Sequence, residues 1–266
     1  MDRIEYKYLI PTSKVAILRD YLKPYVILDK YSAQAPDQNY TVRSVYFDTP
    51  RLDFFHEKIA GIKKRQKIRI RCYNDVKDDS ATFLEIKRKN GPAIKKYRSA
   101  VLYQNLFMLL RTGNIERYVF SNNGKEIDYQ NASNFFFQIH RLNLKPMIKI
   151  IYEREAYYYK FHNKLRITID KHLRSSLSVP LDTLHLEENV VYTLSNHCII
   201  EVKVFGVLPL WLREIIAIFD LKLQALSKYA LCVTSHSQYH RQLMQTIRGE
   251  ANFRRFYKLS HIKNGY

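Results

Sequence analysis

The sequence predicts an α+β protein: an antiparallel barrel of about eight strands with a charged interior, covered by helices. Three observations carry this reading. At least six segments alternate between charged and apolar residues with the period of a strand. Their charged faces are rich in Arg and Lys, with only Glu5, Glu85, Asp170 and Glu201 as carboxylates. Between them lie stretches whose apolar residues recur at helical spacing and could cover the strands' apolar faces.

The strand signals run through the chain in order. Arg3 to Ile10 places Arg3, Glu5 and Lys7 opposite Ile4, Tyr6 and Tyr8, and Pro11 ends it. Thr12 or Ser13 can cap a helix to about Tyr25, with Val15, Leu18 and Leu22 on one side. Tyr40 to Phe47 is rich in β-formers. Asp48-Thr49-Pro50 then reads as a helix start, and that helix ends at Gly61. Lys67 to Tyr73 sets Lys67, Arg69 and Arg71 against Ile68, Ile70 and Cys72. Thr82 to Lys89 sets Phe83, Glu85, Lys87 and Lys89 against Leu84 and Ile86. Asn90-Gly91-Pro92 signals a hairpin turn, and Ile94 to Leu102 returns with Lys96 and Arg98 in phase. Residues 104–143 read as a helical insertion. Met147 to Tyr158, Lys164 to Lys171 and Cys198 to Phe205 complete the strands. Helical segments follow from Pro209 to about Arg248, and residues 248–266 read as a basic tail.

The totals bound the function. The 266 residues carry a formal net charge of +19, which calls for a polyanionic partner: nucleic acid, an anionic membrane or a phosphorylated small molecule. Cys72, Cys198 and Cys232 are isolated, which argues against a disulfide framework or a zinc ribbon and for a reducing compartment. Met-Asp-Arg-Ile-Glu lacks the apolar core of a signal peptide. No apolar run reaches the ~18 residues of a membrane-spanning helix. The expected setting is cytoplasmic, with a peripheral position at the inner face of the membrane as a candidate.

A barrel with cations inside is costly unless an anion occupies it. Arg suits phosphate through its planar donor fork, and Lys serves as a point charge. Carboxylates set among those cations point to a divalent metal, Mg²⁺ or Mn²⁺, bridging protein and phosphate. There is no phosphate-binding G-x-x-x-x-G-K-[ST] loop.

A set of short segments, in order, resembles a known family. They are Arg3-Ile-Glu-Tyr-Lys-Tyr8, Ser44-Val-Tyr-Phe-Asp-Thr49, Arg69-Ile-Arg71, Leu84-Glu-Ile-Lys-Arg88 and Ile94-Lys-Lys-Tyr-Arg98. Tyr152-Glu-Arg154, Leu165-Arg-Ile-Thr-Ile-Asp170, Ile200-Glu-Val-Lys203 and Ser227-Lys-Tyr229 continue the series. Together they resemble the VTC-type polyphosphate polymerase domain of the triphosphate tunnel metalloenzyme (CYTH-like) superfamily. The resemblance implies one tunnel domain over residues 1–266 that moves the γ-phosphoryl group of ATP onto inorganic polyphosphate and releases ADP. It implies that Lys7, Arg69, Arg71, Lys87, Lys96, Arg98, Arg154, Arg166, Lys203 and Lys228 bind substrate. Arg69, Arg71, Lys87, Arg154 and Arg166 would act in catalysis, and Glu201 and Glu5 would hold the metal. Arg3 stands where related hydrolases carry the first Glu of a metal-binding Glu-x-Glu-x-Lys motif, which leans away from plain hydrolysis.

ATP and inorganic polyphosphate are the expected partners, a membrane protein is a candidate one, and no specific nucleic acid is expected. Two alternatives stand beside this reading. A triphosphatase of the same superfamily would use water as acceptor. A non-catalytic polyanion or nucleic-acid binding protein would use the same cations without chemistry. For single residues the ordinary readings are a solvated strand face for Arg69 and Arg71, and a cross-strand ion pair for Glu201 with Lys203. Glu153 and Glu155 read as ion-pair partners on the outer face, and His236 and His240 as surface residues.

Overall fold

The computed structural model describes residues 3–236 except 76, 92, 122, 123, 178, 180 and 183. The expected basic tail at 248–266 and His240 lie outside the described residues. In chain order the strands are β1 (Arg3–Pro11), β2 (Val26–Leu28), β3 (Tyr40–Asp48), β4 (Lys64–Tyr73), β5 (Ala81–Asn90), β6 (Ala93–Leu102), β7 (Val119–Phe120), β8 (Lys145–Tyr159), β9 (Leu165–Ser176), β10 (Val191–Tyr192) and β11 (His197–Phe205). The helices are α1 (Val15–Leu22), α2 (Lys30–Gln34), α3 (Asp53–Ile59), α4 (Tyr103–Thr112), α5 (Ile115–Tyr118), α6 (Lys125–Arg141), α7 (Leu210–Ile218) and α8 (Lys228–Ser235).

Every segment read as a strand is a strand of nine residues or more. The additional β2, β7 and β10 have two or three residues, too few to show a period of two.

The chain divides into two compact units. The first holds Met1–Val42, Ile151–Arg174 and Tyr192–Ser227; the second holds Arg43–Ile150, Ser175–Val191 and the described residues from Lys228. In the first, β1 pairs with β11 and β11 with β9, all antiparallel, and β2 pairs with β8. In the second, β4, β5, β6 and β7 pair in sequence, also antiparallel. Neither run of paired strands closes on itself. The closed eight-stranded barrel is therefore corrected to open antiparallel runs, with eleven strands among the described residues.

Each unit packs the apolar faces of its strands against helices. In the first, Leu165, Ile167, Ile169, Ile200, Val202 and Val204 form one core with Val15, Leu18 and Leu22 of α1 and Leu212 and Ile215 of α7. In the second, Ile68, Ile70, Leu84 and Ile86 pack with Leu106 and Leu109 of α4 and Ala132 and Phe135 of α6. Fully burying one such side chain contributes about 1.5–3 kcal/mol. Period-two alternation leaves the Arg and Lys of these strands on the opposite face.

Two local expectations are modified. Thr12–Lys14 form a 3₁₀ turn, and α1 begins only at Val15. Helix α3 begins at Asp53, three residues beyond Pro50, after Leu52 adopts a left-handed backbone at φ 60°. The Asp48 carboxylate instead accepts the backbone N–H groups of Thr49, Phe54 and Phe55 at 2.7, 3.0 and 3.1 Å. Asp48 thus holds the turn and the helix start from outside the helix. Cys72, Cys198 and Cys232 are buried and form no disulfide. No helix among the described residues is long and apolar enough to cross a membrane.

Candidate functional site

The second unit concentrates cations on three strands. Gly91 supplies the φ of +58° at the turn between β5 and β6, and the antiparallel register then aligns the charged positions. Lys67, Lys87 and Lys96 form one cross-strand rung, and Arg69, Glu85 and Arg98 the next. Arg71, opposite Phe83, follows. These three rungs hold six cations and one carboxylate. Like charges in neighbouring cross-strand positions repel, and the carboxylate set among them offsets part of that repulsion.

That anion is Glu85, 1% exposed. Arg69 donates through Nε to Oε2 at 2.7 Å, and Arg98 donates through Nε to Oε1 at 2.7 Å. Lys96 Nζ lies 2.7 Å from Oε1. Burial pushes the Glu85 carboxyl up, but Arg69, Arg71, Lys96 and Arg98 outweigh it and hold the group well below the usual carboxylate range. Arg98 also lies 4.0 Å from the centroid of the Phe83 ring and donates to the Tyr73 hydroxyl at 3.1 Å. Burial raises the Tyr73 phenol, yet Arg71, Arg98 and Arg69 bring it down to about 8. Arg71, 6% exposed, donates through Nε to Ser44 Oγ at 2.9 Å. Arg69 donates to the Tyr46 hydroxyl at 2.7 Å. Tyr46 in turn stacks on Tyr229 of α8, with centroids 5.2 Å apart. Lys228, the neighbour of Tyr229, is buried, whereas a helical lysine is ordinarily exposed.

The face in the first unit is charge-balanced. Glu201, on β11, lies 3.2 Å from Lys203 Nζ, 3.5 Å from Lys7 Nζ and 3.7 Å from Arg154 Nη2. Lys7 also pairs with Glu5 at 2.9 Å. Arg154 forms a two-pronged pair with Asp170 at 2.6 and 2.8 Å, both side chains buried. Arg166 donates to Asp29 at 2.8 Å and to the Tyr40 hydroxyl at 3.2 Å. Thus Lys7, Arg154, Arg166 and Lys203 are matched by Glu5, Glu201, Asp170 and Asp29. Two polar atoms on this face are left over. Arg166 Nε and Thr168 Oγ1 are buried and have no hydrogen-bond partner among the described residues. Buried orphan groups of this kind are uncommon and suit an incoming polar ligand or water.

Of the expected metal ligands, Glu5 and Glu201 share Lys7 as a neighbour. Among the described residues no group of three His, Cys, Asp or Glu side chains could cage a metal ion. Two hard carboxylates fit Mg²⁺ or Mn²⁺ of the sort that keeps several waters and takes further oxygens from substrate phosphates. They do not fit an ion held wholly by protein.

Each expected substrate residue thus has a place. Arg69, Arg71, Lys87, Lys96, Arg98 and Lys228 belong to the second unit, and Lys7, Arg154, Arg166 and Lys203 to the first. Several participants were not singled out from sequence. From sequence Glu85 is one carboxylate on the charged face; the structure makes it the shared partner of three cations. Its signal was its place as the lone acid in Leu84-Glu-Ile-Lys-Arg88. Asp29 carries no signal, since it lies in no charged alternation. Glu155 is an ion-pair partner as read, but a buried one. It receives two bonds from Arg19 of α1, at 2.9 and 2.6 Å, and a third from Lys171.

A family model described as the VTC domain matches residues 2–236. No curated protein matches the chain. Among solved structures, the candidate adenylyl cyclase HpAC1 from Hippeastrum, described as having a dominant triphosphatase activity, aligns with a TM-score of 0.45 at 13% identity. The alignment covers 86% of this chain and 94% of that one. A likeness so distant does not bear on activity.

Proposed function

Because the chain belongs to the VTC domain family, we propose that it is an ATP-dependent polyphosphate polymerase, transferring the γ-phosphoryl group of ATP to the end of an inorganic polyphosphate chain and releasing ADP. The observation that carries this reading is the face of β4, β5 and β6, where three neighbouring rungs hold six cations and one carboxylate, three of the cations paired with it. A surplus of that size on a partly buried face calls for a multiply charged anion.

Phosphoryl transfer asks for positioning and for neutralisation of charge on the transferring group; it needs no covalent nucleophile. Arg69, Arg98 and Arg71 are fixed by Glu85, Tyr46, Tyr73 and Ser44, so their donors are oriented before substrate arrives. Lys67, Lys87 and Lys96 extend the same face along the strands and would bind successive phosphates of a linear chain. In the first unit, Arg154 is locked by Asp170, and the buried Nε of Arg166 has no hydrogen-bond partner among the described residues. These are the proposed phosphate contacts there, with Lys7 and Lys203. Glu201 and Glu5 would hold a divalent cation, which supplies charge neutralisation on phosphate oxygens when bound. The acceptor, a terminal polyphosphate oxygen, is already anionic near neutral pH and needs no strong base. The proposed setting is cytoplasmic, in keeping with three cysteines that form no disulfide.

Incubation with γ-labelled ATP and Mn²⁺, read on a sizing gel, tests the proposal. Labelled polymer of increasing length together with ADP is the expected product. Labelled orthophosphate alone would move the assignment to a triphosphatase. Binding of polyanions that persists with EDTA, with no turnover of any nucleotide, would leave only the binding-protein reading.

A further inference from the structure

Tyr229 is tied into the second unit from three sides. Its hydroxyl donates to Oδ2 of Asp48. Its ring stacks on Tyr46 at an interplanar angle of 20° and meets Phe55 edge-on, with centroids 6.5 Å apart. Asp48 is 0% exposed, and its three backbone N–H donors come from the turn and the start of α3. A buried carboxylate with four donors is an unusually rigid anchor. Nothing in the chemistry of phosphoryl transfer uses it, since its oxygens are occupied and it faces no solvent.

What the anchor holds is the first turn of α8, and the residue before Tyr229 is Lys228. A lysine carries four rotatable bonds and gains precision only if its backbone is fixed and its stem is packed. Lys228 has both, being buried beside residues that the anchor fixes. Its ammonium also acts on the face described above: burial raises the Tyr46 phenol, and the charges of Arg69, Arg71 and Lys228 bring it below its ordinary value.

We propose that Asp48 and Tyr229 form a latch that positions Lys228 as a phosphate ligand on the face that holds Arg69 and Arg71. The latch residues are positioning residues and touch no substrate. The inference rests on the assignment of that face to phosphate and adds the device that sets the one ligand there supplied by a helix.

The test is a double-mutant cycle read by calorimetric binding of inorganic tripolyphosphate, with thermal melts of every variant. Tyr229→Phe keeps the stacked ring and removes only the hydroxyl. Asp48→Asn keeps an acceptor oxygen for the Thr49 and Phe54 N–H groups, sets an amide NH2 where Oδ2 accepted from Tyr229 and Phe55, and removes the charge. Each is expected to weaken tripolyphosphate binding about tenfold, the size of one well-placed charged contact. In a Lys228→Ala background each is expected to change binding less than twofold, because the latch then has nothing to position. Equal losses in both backgrounds would mean general loosening of the fold and would overturn the proposal. So would wild-type affinity in Tyr229→Phe, or in Lys228→Ala alone; the remaining cations would still support the phosphate assignment in those cases. If the wild-type protein bound no tripolyphosphate, the functional reading itself would fall, and the latch with it.

Discussion

Replacing Glu85 with Gln puts the charge arrangement of β4, β5 and β6 to a direct test. The carboxylate is 1% exposed and pairs with Arg69, Lys96 and Arg98 at 2.6–2.7 Å. Removing one member of a buried ionic group costs about 3–5 kcal/mol when the remaining charges cannot rehydrate. Here they partly can, since the Lys96 and Arg98 side chains are 44% and 27% exposed. The expected loss is therefore nearer the low end, about 3 kcal/mol at pH 7. The pH dependence has a definite sign. Glu85 titrates well below its ordinary range in the folded protein. Its contribution is fully present above the unfolded value of about 4.3 and is lost as pH falls toward the folded value. Wild type and variant should thus differ most near neutrality and converge in acid. The assay is chemical denaturation at pH 7 and along an acid series, with and without tripolyphosphate. Added anion should raise the midpoint of Glu85→Gln more than that of wild type, because the variant leaves six cations without their carboxylate. A variant within about 0.5 kcal/mol of wild type at pH 7, the range of an ordinary surface change, would refute Glu85 as the neutralising centre.

Other expectations follow from the same geometry. Glu201→Gln should abolish Mn²⁺-dependent turnover while sparing metal-free tripolyphosphate binding; full activity would remove Glu201 from the metal site. Asp170→Asn leaves Arg154 buried without its two-pronged partner and should cost about 3–5 kcal/mol by denaturation. Burial, with Arg98 and Arg69, outweighs the Glu85 pairing and lowers Lys96 to about 8, where Tyr73 also titrates. Both groups shed positive or gain negative charge as pH rises, so tripolyphosphate affinity should fall between pH 7 and 9. Lys96→Arg combined with Tyr73→Phe should flatten that profile, and an unchanged profile would point to other groups.

The alternation of charged and apolar residues made the strands and their faces legible, because a period of two is written directly in Lys67 to Tyr73 and in Cys198 to Phe205. Closure is not written there. Whether a run of strands meets its own far edge depends on stagger and twist summed over many pairs, and no residue encodes that sum. The cations were legible for the same reason as the strands. Their partners were legible only where both lay in alternating segments, as with Lys7 and Glu201. Asp29 reaches Arg166 from the cap of α2, across 137 positions of sequence, and no local pattern joins them. A helical lysine is ordinarily solvated, and the burial of Lys228 goes with the contact of its neighbour Tyr229 to Asp48, 181 residues away, which no local pattern shows.

The pairing of β1 with β11 has a consequence for how the protein is made. Lys7 is opposite Glu201, so β1 leaves the ribosome about two hundred residues before the strand that will cover its edge. At ordinary synthesis rates that is roughly 10–40 seconds of waiting. During that interval the β4–β5–β6 hairpins, which pair only with near neighbours in sequence, can assemble first. The exposed edge of β1 is meanwhile kept from adventitious pairing by the charges of Arg3, Glu5 and Lys7. The residues assigned to binding phosphate and metal would in this way also guard the nascent chain against aggregation.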